Sequence, residues 1–122
     1  MTVRECYSQM NGDYNNVLSR FYDEAMIKRL LGRFIDDTSF RALEQAMAEG
    51  DVQTAFNAAH TLRGVCQSLS FTQLCGTLDP ITEALRGGNI AAAAADMDKA
   101  KREYDVCLLY TSDAADDRIS VD

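Results

Sequence analysis

Hydrophobic residues in this chain return every three or four positions, and short polar breaks rich in helix-capping residues cut the runs they form. That period belongs to helices and not to the two-residue alternation of a half-buried strand. One proline and seven glycines interrupt 122 residues, and the good helix formers Ala, Leu, Met, Glu, Gln, Lys and Arg are plentiful. An Asn11-Gly12-Asp13 turn precedes a short segment, Tyr14 to Phe21. Asp23 to Ile35 follows, with Ile27, Leu30, Leu31 and Phe34 at helical spacing. Asp36-Asp37-Thr38 offers N-caps for Ser39 to Glu49, whose inner face is Phe40, Leu43 and Met47. Gly50 then Asp51 reads as a C′ residue followed by an N-cap, opening the longest helix, Val52 to Leu69. Ser70 with Gln73 fits a capping box for a helix to about Arg86, with Leu74, Leu78, Ile81 and Leu85 on its seam. Pro80 should kink that helix or delay its start by about two turns. Gly87-Gly88-Asn89 leads into a last helix from Ile90, with Ala93, Met97, Ala100 and Tyr104 on its seam. Joins this short favour antiparallel neighbours. The expected fold is all-α, an antiparallel up-down four-helix bundle with a short extra N-terminal helix.

Charge and cysteine usage narrow the partners. The formal charge of −7 opposes a nucleic-acid or anionic-membrane partner, because both need a basic face. No apolar run approaches the roughly 20 residues of a bilayer span, and the opening MTVRECYSQM has no apolar core for a leader. A cytoplasmic monomer is expected. Cys6, Cys66, Cys75 and Cys107 lie far apart and read as reduced thiols, Cys66 and Cys75 packing as small hydrophobes. One histidine and no ligand-like spacing give no metal site.

The longest helix carries the informative face. With His60 at zero and about 100° per residue, Ala55, Ala58, Leu62, Val65, Cys66 and Leu69 fall between about 140° and 240°. That stripe lies almost opposite the chain's one histidine, so His60 points away from the core. Within about 60° of it stand Gln53, Phe56, Asn57, Arg63, Gly64 and Gln67. Glycine inside a helix costs roughly 1 kcal/mol relative to alanine, so Gly64 asks for a reason. Bare backbone one turn after His60 lets another protein approach the imidazole. Arg63 can pair with an anion on the ring, and Gln67 can hydrogen-bond to the ring or to that anion. Phe56, on the same face, suits either a docking patch with Asn57 or packing against the N-terminal segment.

The stretch Ala58-Ala59-His60-Thr61-Leu62-Arg63-Gly64-Val65 resembles the signature of the histidine phosphotransfer (HPt) family. There a His is followed three and four residues later by Lys and Gly. The likeness extends from about residue 10 to 106, with Phe71 and Leu74 matching the start of the following helix. Arg63 replaces the usual Lys with a permanent charge of bidentate reach, and Ser70 stands where the family often has Gly. The resemblance implies a four-helix bundle that carries a phosphoryl group on His60, taken reversibly from a receiver-domain aspartate onto Nε2. Arg63 would offset the phosphoryl charge and Gln67 would orient the ring. The implied partners are a response-regulator receiver domain and a hybrid histidine kinase. Mg²⁺ would come with the receiver, so this chain needs no cofactor of its own. It holds no G-x-x-x-x-G-K-[ST] or kinase-like Gly-rich loop, and is expected to be a carrier and not a self-sufficient enzyme. Asp51 and Asp79 have no spacing reason to converge on His60. The alternative is the same bundle docking a receiver without carrying phosphate.

Residues Cys107 to Asp116 read CLLYTSDAAD, which resembles the translation of a transposase sequencing adapter (TGT CTC TTA TAC ACA TCT GAC GCT GCC GAC). We therefore expect a bundle over 1–106 and a non-native tail over 107–122, with the last native helix cut short. Losing four Asp and one Arg with that tail would bring the formal charge from −7 to −4.

Overall fold

In a computed structural model that describes residues 1–116, every element is a helix: α1 (Val3–Gln9), α2 (Tyr14–Phe21), α3 (Glu24–Asp36), α4 (Ser39–Glu49), α5 (Val52–Ser68), α6 (Thr72–Arg86), α7 (Ile90–Ala95) and α8 (Met97–Asp116). The helices make a bundle in which α5 packs between α4 and α6, while α8 packs on α3, α6 and α1. Gly50, at φ 73°, closes α4, and Asp51 accepts from Thr54 N at 3.1 Å to open α5. A two-residue join between packed helices forces them to run antiparallel.

The core is aromatic at one end. Phe34 meets Phe71 edge-on at 5.0 Å between centroids, Tyr7 leans on Phe71 at 5.6 Å, and Phe40 stacks on Tyr104 at 4.4 Å. Tyr7 is fully buried and donates its hydroxyl to the Leu69 carbonyl at 2.7 Å. It thus satisfies an otherwise orphaned acceptor at the end of α5.

Four features differ from the sequence expectation. First, α1 is an additional N-terminal helix, opened by a Thr2–Glu5 capping box and buried through Val3, Cys6 and Tyr7. Second, Ser70 does not cap α6. Its φ is 58°, in the left-handed region, and its hydroxyl donates to Asn16 Oδ1 at 2.6 Å, so Phe71 takes the N-cap position without a side-chain bond. The left-handed backbone at Ser70 is a physical reason for glycine to suit that position. Third, α6 starts at Thr72, without the two-turn delay that was one of the two outcomes expected of Pro80, and runs through that proline. Pro80 has no N–H for the carbonyl of Gly76, but both residues are exposed, so water can serve that oxygen. Fourth, the last helix is two helices. At Asp96 the backbone N–H turns to Ala93 and Ala94, and α8 starts afresh.

Residues 107–116, expected to be an appended tail, continue α8 without a break. Cys107, Thr111, Ala114 and Ala115 are buried, and Thr111 Oγ1 donates to Met10 Sδ at 3.7 Å. Residues 117–122 of that expected tail lie outside the described residues.

Candidate functional site

The α5 helix owes its position to a clean division of its surface. Ala55, Ala58, Ala59, Leu62 and Cys66 are buried, and each such apolar side chain favours the packed state through the area it removes from water. Ala59 widens the stripe beyond the expected set, whereas Val65 is half-buried. The opposite face carries Asn57, His60, Gly64 and Gln67, all exposed. Neither nitrogen of His60 is hydrogen-bonded among the described residues, so both edges of the ring are open to a reactant.

Phe56 is half-buried and belongs to the histidine more than to open surface. Its ring stacks on His60 with centroids 5.8 Å apart and planes 19° from parallel. The Arg86 guanidinium of α6 lies over Phe56 at 5.1 Å from the ring centre, and Glu83 holds Arg86 at 2.9 Å. Phe56 is therefore held between His60 and Arg86 and does not stand free in solvent. A flat ring beside the imidazole limits how far it can rotate. Asn57 accepts from Gln53 at 3.1 Å, one turn before it.

Arg63 stands one turn after His60 on the same side of α5 and is part-buried. Its Nε donates to Asp79 Oδ1 of α6. Asp79, set aside on sequence spacing, thus joins the site by holding Arg63 and not by reaching His60. No periodicity within α5 could have found it, because the pairing depends on how α5 and α6 pack. Gln67 makes no side-chain hydrogen bond to the ring in this structure. It lines an open cleft of about 560 Å³ with Arg20, Ser70, Cys75, Gly76 and Asp79. Arg20 of α2 donates to the Gln67 carbonyl at 2.9 Å and to that of Ser68, which fixes the last turn of the helix carrying His60.

Gly64 is open. A Cβ built there meets nothing within 4 Å, so no packing demand explains the glycine. Cys75 of α6 has its thiol pushed up by burial and by Asp79, and drawn back by Arg63. Among the described residues, no group of three or more His, Cys, Asp or Glu side chains could hold a metal ion, and no helix is long and apolar enough to cross a membrane.

The sequence matches the family model described as "Hpt domain" over residues 29–113. The fold matches a crystal structure of histidine-containing phosphotransfer protein B from Pseudomonas aeruginosa PAO1. That match has a TM-score of 0.76 and 23% identity, and covers 85% of this chain and 93% of that one. No curated protein sequence matches.

Proposed function

Because the chain belongs to the Hpt domain family, whose members pass phosphoryl groups in two-component signalling, we propose that His60 is its phosphoryl-accepting residue. The observation that carries this is the exposure of His60 on α5, opposite the buried stripe, with both ring nitrogens unbonded. The partner is a receiver domain phosphorylated on an aspartate, loaded in turn by a hybrid histidine kinase. The lone pair of Nε2, the ring nitrogen farther from the backbone, attacks phosphorus. The P–O bond of the acyl phosphate breaks, and the receiver's carboxylate leaves with that electron pair. The new P–N bond leaves the imidazolium still holding its Nδ1 proton, and the reverse attack regenerates both partners. A neutral imidazole nitrogen is a competent nucleophile at physiological pH.

Arg63 offsets charge on the phosphoryl oxygens, while Phe56 flanks the ring. Gln67 contributes a neutral donor once an anion is present, and Gly64 with Asn57 leaves room for the partner's surface. Any Mg²⁺ sits with the receiver, and this chain supplies a monomeric carrier in the cytoplasm.

The test is incubation with a phosphorylated receiver. His60→Gln should abolish uptake of acid-labile, alkali-stable label. Stability should change by less than about 0.5 kcal/mol, as for exposed positions generally. A His60→Gln protein that still takes up label would move the acceptor elsewhere. Wild-type protein that binds the receiver without acquiring label would reduce this chain to a docking module.

A further inference from the structure

The Arg63–Asp79 pair is too exposed to be explained by folding. The side chains keep 28% and 47% of their surface accessible, and an ion pair in that setting adds little to stability. Its geometry is more telling than its strength. A guanidinium has five N–H donors, and the contact with Asp79 uses the single one on Nε. The four on Nη1 and Nη2 make no hydrogen bond among the described residues. These free donors belong to a side chain on the face of α5 that presents His60, one turn away.

We propose that Asp79 is a positioning residue for phosphoryl transfer: it anchors Arg63 through Nε, so that the Nη groups are presented to the phosphoryl oxygens on His60. The proposal rests on the reading of His60 as acceptor. Arginine is suited to this double duty because its charge is spread over a planar fork with separate edges. A lysine has one ammonium centre on a flexible stem and must divide it between Asp79 and the phosphoryl group. Asp79 also carries a direct cost, since its negative charge opposes a phosphoryl dianion nearby. The proposal therefore requires that the anchoring gain exceed that repulsion when residue 63 is arginine, and fall short of it when residue 63 is lysine.

That requirement gives a test whose sign reverses. Four proteins are compared: wild type, Asp79→Ala, Arg63→Lys, and the two changes together. Each is read by transfer rate from one phosphorylated receiver, by phosphohistidine half-life, and by melting temperature. Removing Asp79 while Arg63 is kept should slow transfer or shorten the half-life by about threefold or more, as expected for contacting pairs, with little change in melting temperature. Removing it from the Arg63→Lys protein should leave both readouts unchanged or improve them. Asp79→Asn, which keeps the shape and an acceptor, should lie between wild type and Asp79→Ala. An equal loss in both backgrounds would overturn the proposal, because Asp79 would then act independently of Arg63. No loss in the protein that keeps Arg63 would overturn it as well. Failure of the parent reading is distinguishable, since either His60→Gln would then still take up label or the wild type would take up none.

Discussion

A methyl group added at Gly64 would meet nothing within 4 Å, whereas at Gly12 it would come within 2.8 Å of the Tyr7 ring and 3.2 Å of the Ser70 carbonyl oxygen. The same substitution should therefore have opposite signs at the two sites. Gly64→Ala should raise stability by up to about 1 kcal/mol, because alanine removes the helix-interior penalty. Gly12→Ala should lower it by about 1–3 kcal/mol, the usual cost of forcing atoms into a packed site; thermal melts of both variants decide it. Gly64→Gln should fold normally yet slow phosphoryl transfer sharply, and a wild-type transfer rate would mean that Gly64 does not serve partner approach. The histidine's placement was legible in the sequence because α5 has one unbroken apolar stripe, which fixes the opposite face with no knowledge of the neighbours. The anchoring of Arg63 and the stacking of Phe56 under Arg86 were not legible. Both join α5 to α6, and no spacing within one helix encodes how a second helix crosses it.

Among the elements, the join of α4 to α5 was marked by Gly50 and Asp51, which close Ser39–Glu49 and open Val52–Ser68, whereas Thr38 at the start of α4 makes no side-chain cap bond. The α1 helix had a signal that went unread. Thr2 and Glu5 have capping-box spacing, and Val3, Cys6, Tyr7 and Met10 recur at helical intervals, all four buried. The Ser70–Gln73 pair shows the opposite error, since it has the right residues for a capping box while the chain there turns through a left-handed conformation. Residue identity alone does not report that backbone state. The α7–α8 break at Asp96 was equally hidden, because the seam residues keep helical spacing across it. The clasp between α1 and α5 can be tested directly. Tyr7→Phe keeps the ring but leaves the buried Leu69 carbonyl without its donor, and should cost about 1–3 kcal/mol in chemical denaturation. A change near zero would show that water replaces the hydroxyl.

For the molecule as a whole, the adapter-like stretch bears on where codons 107–116 came from, and the packing bears on what those residues do. Deleting 107–122 should lower stability by about 2 kcal/mol or more, because buried Cys107, Thr111, Ala114 and Ala115 leave the core and α1 loses cover. An unchanged melting temperature would show that α8 ends in effect near Val106. Alkali should expose the same region. Burial pushes the Cys6 thiol up to about 11 and the Cys107 thiol up to about 12. Thiols raised in the folded state hold their protons more tightly there than in the unfolded chain. Their contribution to stability is complete below the ordinary thiol range and is lost as pH rises through about 11 and then about 12. Melting temperature should fall over that interval, and Cys6→Ala should make the fall shallower. The contact of Met10 with Thr111 also bears on the order of events during folding. It joins positions 101 residues apart in sequence, and closing so long a loop is entropically dear before other contacts shorten it. On the ribosome, Met10 must wait for the 101 residues up to Thr111 to be made before that partner on α8 exists. Substitutions in α1 should then speed unfolding and leave the folding rate almost untouched, with α1 docking after the transition state.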